Sequence, residues 1–224
     1  FLDANFITTS PDVLGFLPKS VNNYFIPNPS DQSFETLNNY KYDCSNDVFF
    51  ALSHGVHRGN LKSRTVDDRE IFIKKLIDKS KDVKFDLFGI NKVQPIWADQ
   101  YFKTISNSKM GLNLSRGIPI KYYSSDRITQ ITGNGLVTLI DEKTGYRDFF
   151  NDKEMVFYKN LSDLSEKISK ISQDEKLRRL IGKKGKDKYT KYFNSKLVAE
   201  FIINKTFDIN SKNKYLWHDK WTII

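Results

Sequence analysis

The chain has 224 residues, room for one large domain or about one and a half smaller ones. Its 39% hydrophobic and 14% aromatic content can fill a real core and excludes a disordered chain. A net charge of +9 favours polyanionic partners such as nucleotides, nucleic acid or acidic lipid, although the lysines are spread along the whole sequence. The single cysteine, Cys44, excludes an internal disulfide and any multi-cysteine metal site. No apolar run approaches the roughly 20 residues that span a bilayer, and no signal peptide opens the chain. The expectation is a cytoplasmic piece of a longer protein, with a peripheral position at an acidic membrane left open.

Residues 1–30 read as the remnant of a preceding domain. NFITTS is a short strand, PDVLGFLP a short helix begun by Pro11, and NNYFIPNP a second strand stopped by Pro27 and Pro29. Residues 31–46 are polar and turn-rich, which suits a linker. From Asp47 a strand-helix alternation begins, and it predicts a doubly wound α/β fold on a parallel sheet over residues 47–207.

DVFFALS is an apolar strand of the kind buried on both faces. After the basic loop HGVHRGNLKSR, a helix is expected from Thr65 to Lys79, with Val66, Arg69, Ile73, Leu76 and Ile77 on one face. VKFDLFG is the next strand, ADQYFKTISNS a helix, and KMGLNLS a third strand. Asp126 to Ile131 then forms a helical turn ended by Gly133 and Gly135, where glycine supplies the left-handed conformation. LVTLI is a central strand, TGYRDFF a short helix and EMVFY a last strand. Helices follow over Leu161–Ile171, Asp174–Tyr192 and Ser195–Phe207. The tail, 208–224, turns aromatic at Tyr215, Trp217 and Trp221, and could pack on this domain or on another.

In open α/β sheets ligands bind beyond the carboxyl ends of the strands. Two sets of residues fall there. The loop after DVFFALS holds His54, His57, Arg58, Lys62 and Arg64 just before a helix, where phosphates bind. An ordinary solvated basic loop explains it equally well. His54 and His57, three apart with no third ligand, suit solvated or hydrogen-bonded roles better than a metal. The second set is Arg116, Arg127 and Gln130. Arg127 and Gln130 share a helix face and suit a phosphate and a ribose hydroxyl, while a surface turn with Arg127 on a carboxylate is the competing reading. The lysine-rich run from Lys167 to Lys196 has Leu177, Leu180 and Ile181 at helical spacing, which favours a solvated helix face over a nucleic-acid patch. No Walker loop, nucleophile elbow or zinc-protease motif occurs.

The ordered set YFKTISNSKMGLNLSRG, DRITQITGNGLVTLID, TGYRDFF and EMVFYKNLSDLSEKI resembles the C-terminal domain of GT-B glycosyltransferases. It is most similar to the "glycosyl transferases group 1" set, in its spore-protein-like branch. YFIPNPSDQSFE is similar to the linker between the two GT-B domains. The resemblance covers roughly residues 20–206. It implies the Rossmann-like C-terminal half of a GT-B fold with a small strand-helix remnant in front. The implied reaction moves a sugar from a nucleotide-activated donor to an acceptor saccharide, lipid-linked sugar or protein. It also implies that no metal or cofactor is needed, because cations and helix N-termini hold the leaving diphosphate.

By position, Arg58 and Lys62 match the basic loop on the diphosphate, and Arg127 and Gln130 match the donor-binding helix. The full candidate donor set is Arg58, Lys62, Arg64, Asn113, Arg116, Arg127 and Gln130, with no catalytic residue assigned. Retaining members carry Glu-x7-Glu ending in this helix. Here Tyr122 and Gln130 stand at that spacing, so the residue pattern leaves retaining and inverting chemistry open. The alternatives are a catalytically degenerate nucleotide- or nucleotide-sugar-binding module and, further off, a basic nucleic-acid-binding domain. The acceptor half would come from a separate N-terminal domain, and no nucleic-acid partner is expected.

Overall fold

The computed structural model describes residues 4–52 and 67–218. Two short strands, β1 (Ala4–Ile7) and β2 (Asn22–Phe25), pair in parallel with Ala4 opposite Asn22 and Ile7 opposite Phe25. The helix expected between them is a single 3₁₀ turn, Pro11–Val13. Pro11 opens that turn, but Leu14 is already extended, and Gly15 and Pro18 leave no stretch in which a helix can grow.

The main body is a five-stranded sheet with helices on both faces. In chain order its elements are β3 (Asn46–Ala51), α1 (Asp68–Lys79), β4 (Phe85–Phe88), α2 (Ala98–Ile105), β5 (Ser108–Asn113), α3 (Arg127–Gly133), β6 (Val137–Asp141), β7 (Val156–Tyr158), α4 (Leu161–Gln173), α5 (Glu175–Tyr192) and α6 (Ser195–Thr206). The strand order is β4-β3-β5-β6-β7 and every pairing is parallel. The expected doubly wound α/β architecture is therefore present, from the same five apolar segments. TGYRDFF forms not one helix but 3₁₀ turns on either side of Gly145, whose φ of 74° breaks the run.

Strand β3 shows why the run DVFFALS was needed. Val48 and Phe50 point to one face, with Ile73 and Leu76 of α1 and Leu164 and Ile168 of α4. Phe49 and Ala51 point to the other, with Ile105 of α2 and Ile131 of α3. Both phenylalanines are fully buried, each contributing about 1.5–3 kcal/mol. A third cluster joins Phe25, Phe149, Phe193, Phe201 and Trp217, so the aromatic tail packs back on α6 and β2.

Residues 31–46 are polar, as a linker would be, but they are strapped to the sheet domain. Arg178 of α5 is 1% exposed and donates to Asn39 O (2.9 Å) and Tyr42 O (2.8 Å). Arg179 donates to Lys41 O, and Lys186 to the carbonyls of Glu35 and Leu37. Asn39 in turn donates to Ile105 O and Ser108 O. Part of the lysine-rich run is thus neither a solvated face nor a binding patch. Its cations satisfy the carbonyls of this strap. Among the described residues no helix is long and apolar enough to cross a membrane.

Candidate functional site

From β3 the chain lays β4 on one side and then returns to lay β5, β6 and β7 on the other, so the crevice between the carboxyl ends of β3 and β5 is the topological switch point. Beside it lies a cleft of about 460 Å³. Its floor is Ala51 and Leu52 at the end of β3. Arg127 and Gln130 of α3 form one wall, and Trp97 and Tyr101 another. Phe34 and Glu35, from the strap, close it. Trp97 and Phe34 leave 61% and 66% of their surface in water, so two large aromatic rings stand open at the rim. The loop that presents Trp97 holds Asn91 and Lys92 at positive φ, and Ala98, the first residue of α2, is there too, a left-handed conformation uncommon for residues other than glycine and asparagine.

Gln130 does line this cleft, three residues from Arg127, as the helix spacing requires. Its Oε1 accepts a hydrogen bond of 2.6 Å from the Tyr101 hydroxyl. Burial raises the pKa of that phenol, so the hydroxyl keeps its proton and remains a donor. Arg127 is placed differently from the sequence expectation. Its Nη2 donates to Leu114 O at 2.8 Å, and its guanidinium lies over the Phe50 ring at 5.3 Å. Nε is buried without a partner. Burial first, and then the nearby charge of Arg69, lower its pKa. The side chain lines the cleft while it braces the loop after β5.

The other expected residues do not gather here. Arg116 is exposed on the loop after β5 and lines neither of the two clefts at the strand ends, whereas its neighbour Gly117, whose N–H donates to Asp68 Oδ2, lines one of them. Asn113 is buried, donates to Ser124 Oγ at 2.9 Å, and lines a second cleft of about 490 Å³ beside Tyr158 and Asp141. Tyr122 has φ 59° and donates to Asp148 in a third and larger cleft of about 830 Å³, so Tyr122 and Gln130 do not share a site. Arg58, Lys62 and Arg64, with His54 and His57, lie outside the described residues. The N-terminus of α1, which the sequence offered to a phosphate, is capped by the chain's own carboxylate. Asp67 accepts from Arg69 N and pairs with the Arg69 side chain through Nε (2.9 Å) and Nη2 (2.7 Å).

Sequence reasoning passed over Trp97, Tyr101, Phe34 and Glu35. A tryptophan in a loop after a strand, directly before a helix, was the available signal for the first two. Nothing local marked Phe34 and Glu35, since their place depends on contacts with α5 far along the chain.

A doubly wound parallel sheet with an open cleft at the ends of its strands defines an α/β protein of the Rossmann-like kind. The chain belongs to the glycosyl transferase-like family, whose model matches residues 64–204, more than half of the sequence. Solved GT-B glycosyltransferases share the fold. Sucrose-phosphate synthase from Thermosynechococcus elongatus aligns with a TM-score of 0.56 at 13% identity, over 92% of this chain and 58% of that one. TarM aligns with a TM-score of 0.62 at 13% identity, over 91% and 43%. A mutant of S. aureus TarM in complex with fondaparinux, α-GlcNAc-glycerol and UDP aligns with a TM-score of 0.60 at 13% identity, over 91% and 44%. The chain therefore spans about half the length of these proteins. No curated protein matches the sequence.

Proposed function

We propose that this chain is the donor-binding, C-terminal half of a GT-B glycosyltransferase, of the group 1 set in its spore-protein-like branch. It takes a sugar from a nucleoside-diphosphate donor. The observation that carries the reading is the cleft at the end of β3, where an aromatic rim faces the hydrogen-bonded pair Gln130–Tyr101. Trp97 and Phe34 offer faces on which a base stacks, and Gln130 and Tyr101 offer polar atoms for a ribose. A neighbour of the same fold was solved with UDP and saccharide ligands, which supports the same ligand classes here.

Transfer breaks the bond between the anomeric carbon and the diphosphate, and negative charge gathers on the departing phosphates. Cations stabilise that charge. Arg58, Lys62 and Arg64, between β3 and α1 in the sequence, are the proposed source, with Arg127 adding positive potential from the cleft wall. Residues 1–30 belong to the acceptor side in this reading, residues 47–207 hold the donor, and the acceptor's general base comes from the other half. No bound metal is required in this scheme.

One observation favours a second reading, a donor-binding module without turnover. Gln130 is neutral and its carbonyl oxygen is already engaged by Tyr101. A release assay for free nucleotide from nucleotide sugars separates the two.

The first test is a thermal-shift and calorimetry panel of UDP, GDP and ADP with their sugar conjugates. A ligand that binds only the native state raises Tm with concentration. Trp97→Ala should weaken nucleotide binding by about 1–3 kcal/mol, the worth of one base stack. Because Trp97 is largely exposed, the ligand-free Tm should hardly move. If no nucleotide shifts Tm at millimolar concentration, the reading fails.

A further inference from the structure

We propose that the second cleft, where β5, β6 and β7 end in Asn113, Asp141 and Tyr158, is a binding site for an uncharged, hydroxyl-bearing ring, that of a sugar. The site lies apart from the nucleotide cleft and stands independently of the donor reading.

The three residues close neighbouring strands, with Asn113 opposite Ile140 and Asp141 opposite Tyr158, and all three line a cleft of about 490 Å³. Among the described residues seven buried side-chain atoms lack a hydrogen-bond partner, and two of them, Asn113 Oδ1 and the Tyr158 hydroxyl, belong to this lining. The other two clefts have one each, Arg127 Nε and Trp217 Nε1. Asn113 is 3% exposed and Tyr158 1%. A buried polar atom without a partner costs stability, so two in the lining of one cleft point to a partner that comes from outside the fold.

The orientation of the Asn113 amide follows from its neighbour. Ser124 Oγ donates to Ser125 O at 2.9 Å, so toward Asn113 it can only accept. Asn113 therefore turns Nδ2 to it, and Oδ1 is the unspent atom, an acceptor. Asp141 gives one oxygen to Lys143 N at 2.9 Å, and its other oxygen has no hydrogen-bond partner among the described residues. Burial first, and then the charge of Asp141, raise the pKa of the Tyr158 phenol, so it keeps its proton and can both donate and accept. Two acceptors and one hydroxyl are left over, and O–H groups match them.

Charge and shape narrow the class further. The lining sets Asp68 and Asp141 against Arg69 and Lys75, which favours neither an anion nor an ammonium. Phe72, Leu114, Pro119 and Leu161 give it apolar sides for the C–H face of a ring. The cleft also shares a wall with the nucleotide cleft. Leu114 lines this one, and its carbonyl accepts from Arg127, which lines the other. The ring therefore has two possible sources, the sugar carried by a nucleotide or a free saccharide.

The test uses the full chain, with glucose, galactose and N-acetylglucosamine as free sugars, then UDP, GDP and ADP, then the sugar conjugates of those nucleotides. Calorimetry reads binding and a melting curve reads the fold. Tyr158→Phe removes only an oxygen that bonds nothing in the protein, so the ligand-free Tm should hold or rise. Sugar binding should weaken about fivefold or more, the worth of one hydrogen bond. Asp141→Asn keeps an acceptor for Lys143 N and should weaken it by a similar factor.

The arms separate the sources. If the ring belongs to the donor, wild type binds a conjugate more tightly than the bare nucleotide, and Tyr158→Phe erases that margin while bare nucleotide binds as before. If the ring is free, a monosaccharide binds without nucleotide and loses affinity in Tyr158→Phe. Either result carries the proposal, and the second does so even if no nucleotide binds and the donor reading falls. Sugar binding that Tyr158→Phe and Asp141→Asn leave unchanged, or no sugar binding in either arm, overturns it. A Tm several degrees lower in Tyr158→Phe overturns it too, because the hydroxyl would then have a partner within the fold.

Discussion

Two neighbouring walls of the cleft are built on opposite principles. One is α3, a short helix whose fold is local: an arginine and a glutamine three apart, then Gly135 at φ 78° to stop it. The other is the strap, residues 31–46, which has one 3₁₀ turn of its own and is held by side chains about 140 residues away. A wall made of local interactions keeps its shape when distant residues change. A wall made of distant contacts does not, and this one brings a carboxylate to the site.

The sharpest way to break the symmetry is Arg178→Ala. The guanidinium is buried and serves Asn39 O and Tyr42 O, and its own counter-charge, Glu175, is half exposed. Removal strands two carbonyls and opens a cavity beneath the strap. The expected cost is about 3 kcal/mol in urea unfolding. Nucleotide binding should weaken too, through Phe34 and Glu35. A loss under about 1 kcal/mol would show that the strap stands by itself.

Gly182→Ala presses on the point where α5 meets both walls. In a free helix this change stabilises by about 1 kcal/mol. Here the new methyl would sit 2.5 Å from Gly135 O, a backbone atom at the end of α3, and 3.4 Å from Tyr40 Cβ in the strap. Backbone cannot yield as a flexible side chain does, so overpacking wins. The expected net loss is about 1–2 kcal/mol. A more stable variant would mean that α5 can slide away from α3.

The same contrast explains how much of the molecule the sequence disclosed. The five strands were legible because Val48 to Ala51 is apolar at every position, as a strand covered on both faces requires, and the other four runs are largely apolar. α3 and the placing of Gln130 were legible because helix spacing and a terminal glycine are local signals. Spacing put Arg127 beside Gln130, but its acceptor, Leu114 O, was not legible because it belongs to a loop whose path no spacing rule gives. The strap was read as a linker because its residues are polar. They are polar so that α5 can bind their carbonyls, and Arg178 looked like one more surface cation in a lysine-rich run.

The smallest effect to look for lies within the strap, where two carboxylates four residues apart should respond to pH with opposite sign. Burial raises the pKa of Glu35 above its ordinary 4.5. The native state then holds its proton to higher pH than the unfolded chain does, so Glu35 stabilises most below about pH 4.5. That contribution is lost as pH rises through the raised value. Asp31 is the reverse case. Hydrogen bonds from Ser33 N, Ser33 Oγ and Ser195 Oγ lower its pKa below 3.8. Its contribution is present above that value and lost as pH falls through the native one. Urea unfolding from pH 2.5 to 7 checks both signs, on wild type, Glu35→Gln and Asp31→Asn. The difference between wild type and Glu35→Gln should move against wild type as pH climbs above 4.5. The difference for Asp31→Asn should move against wild type as pH drops below 3.8. Two profiles with the same slope would mean that Glu35 sits in water like any surface carboxylate.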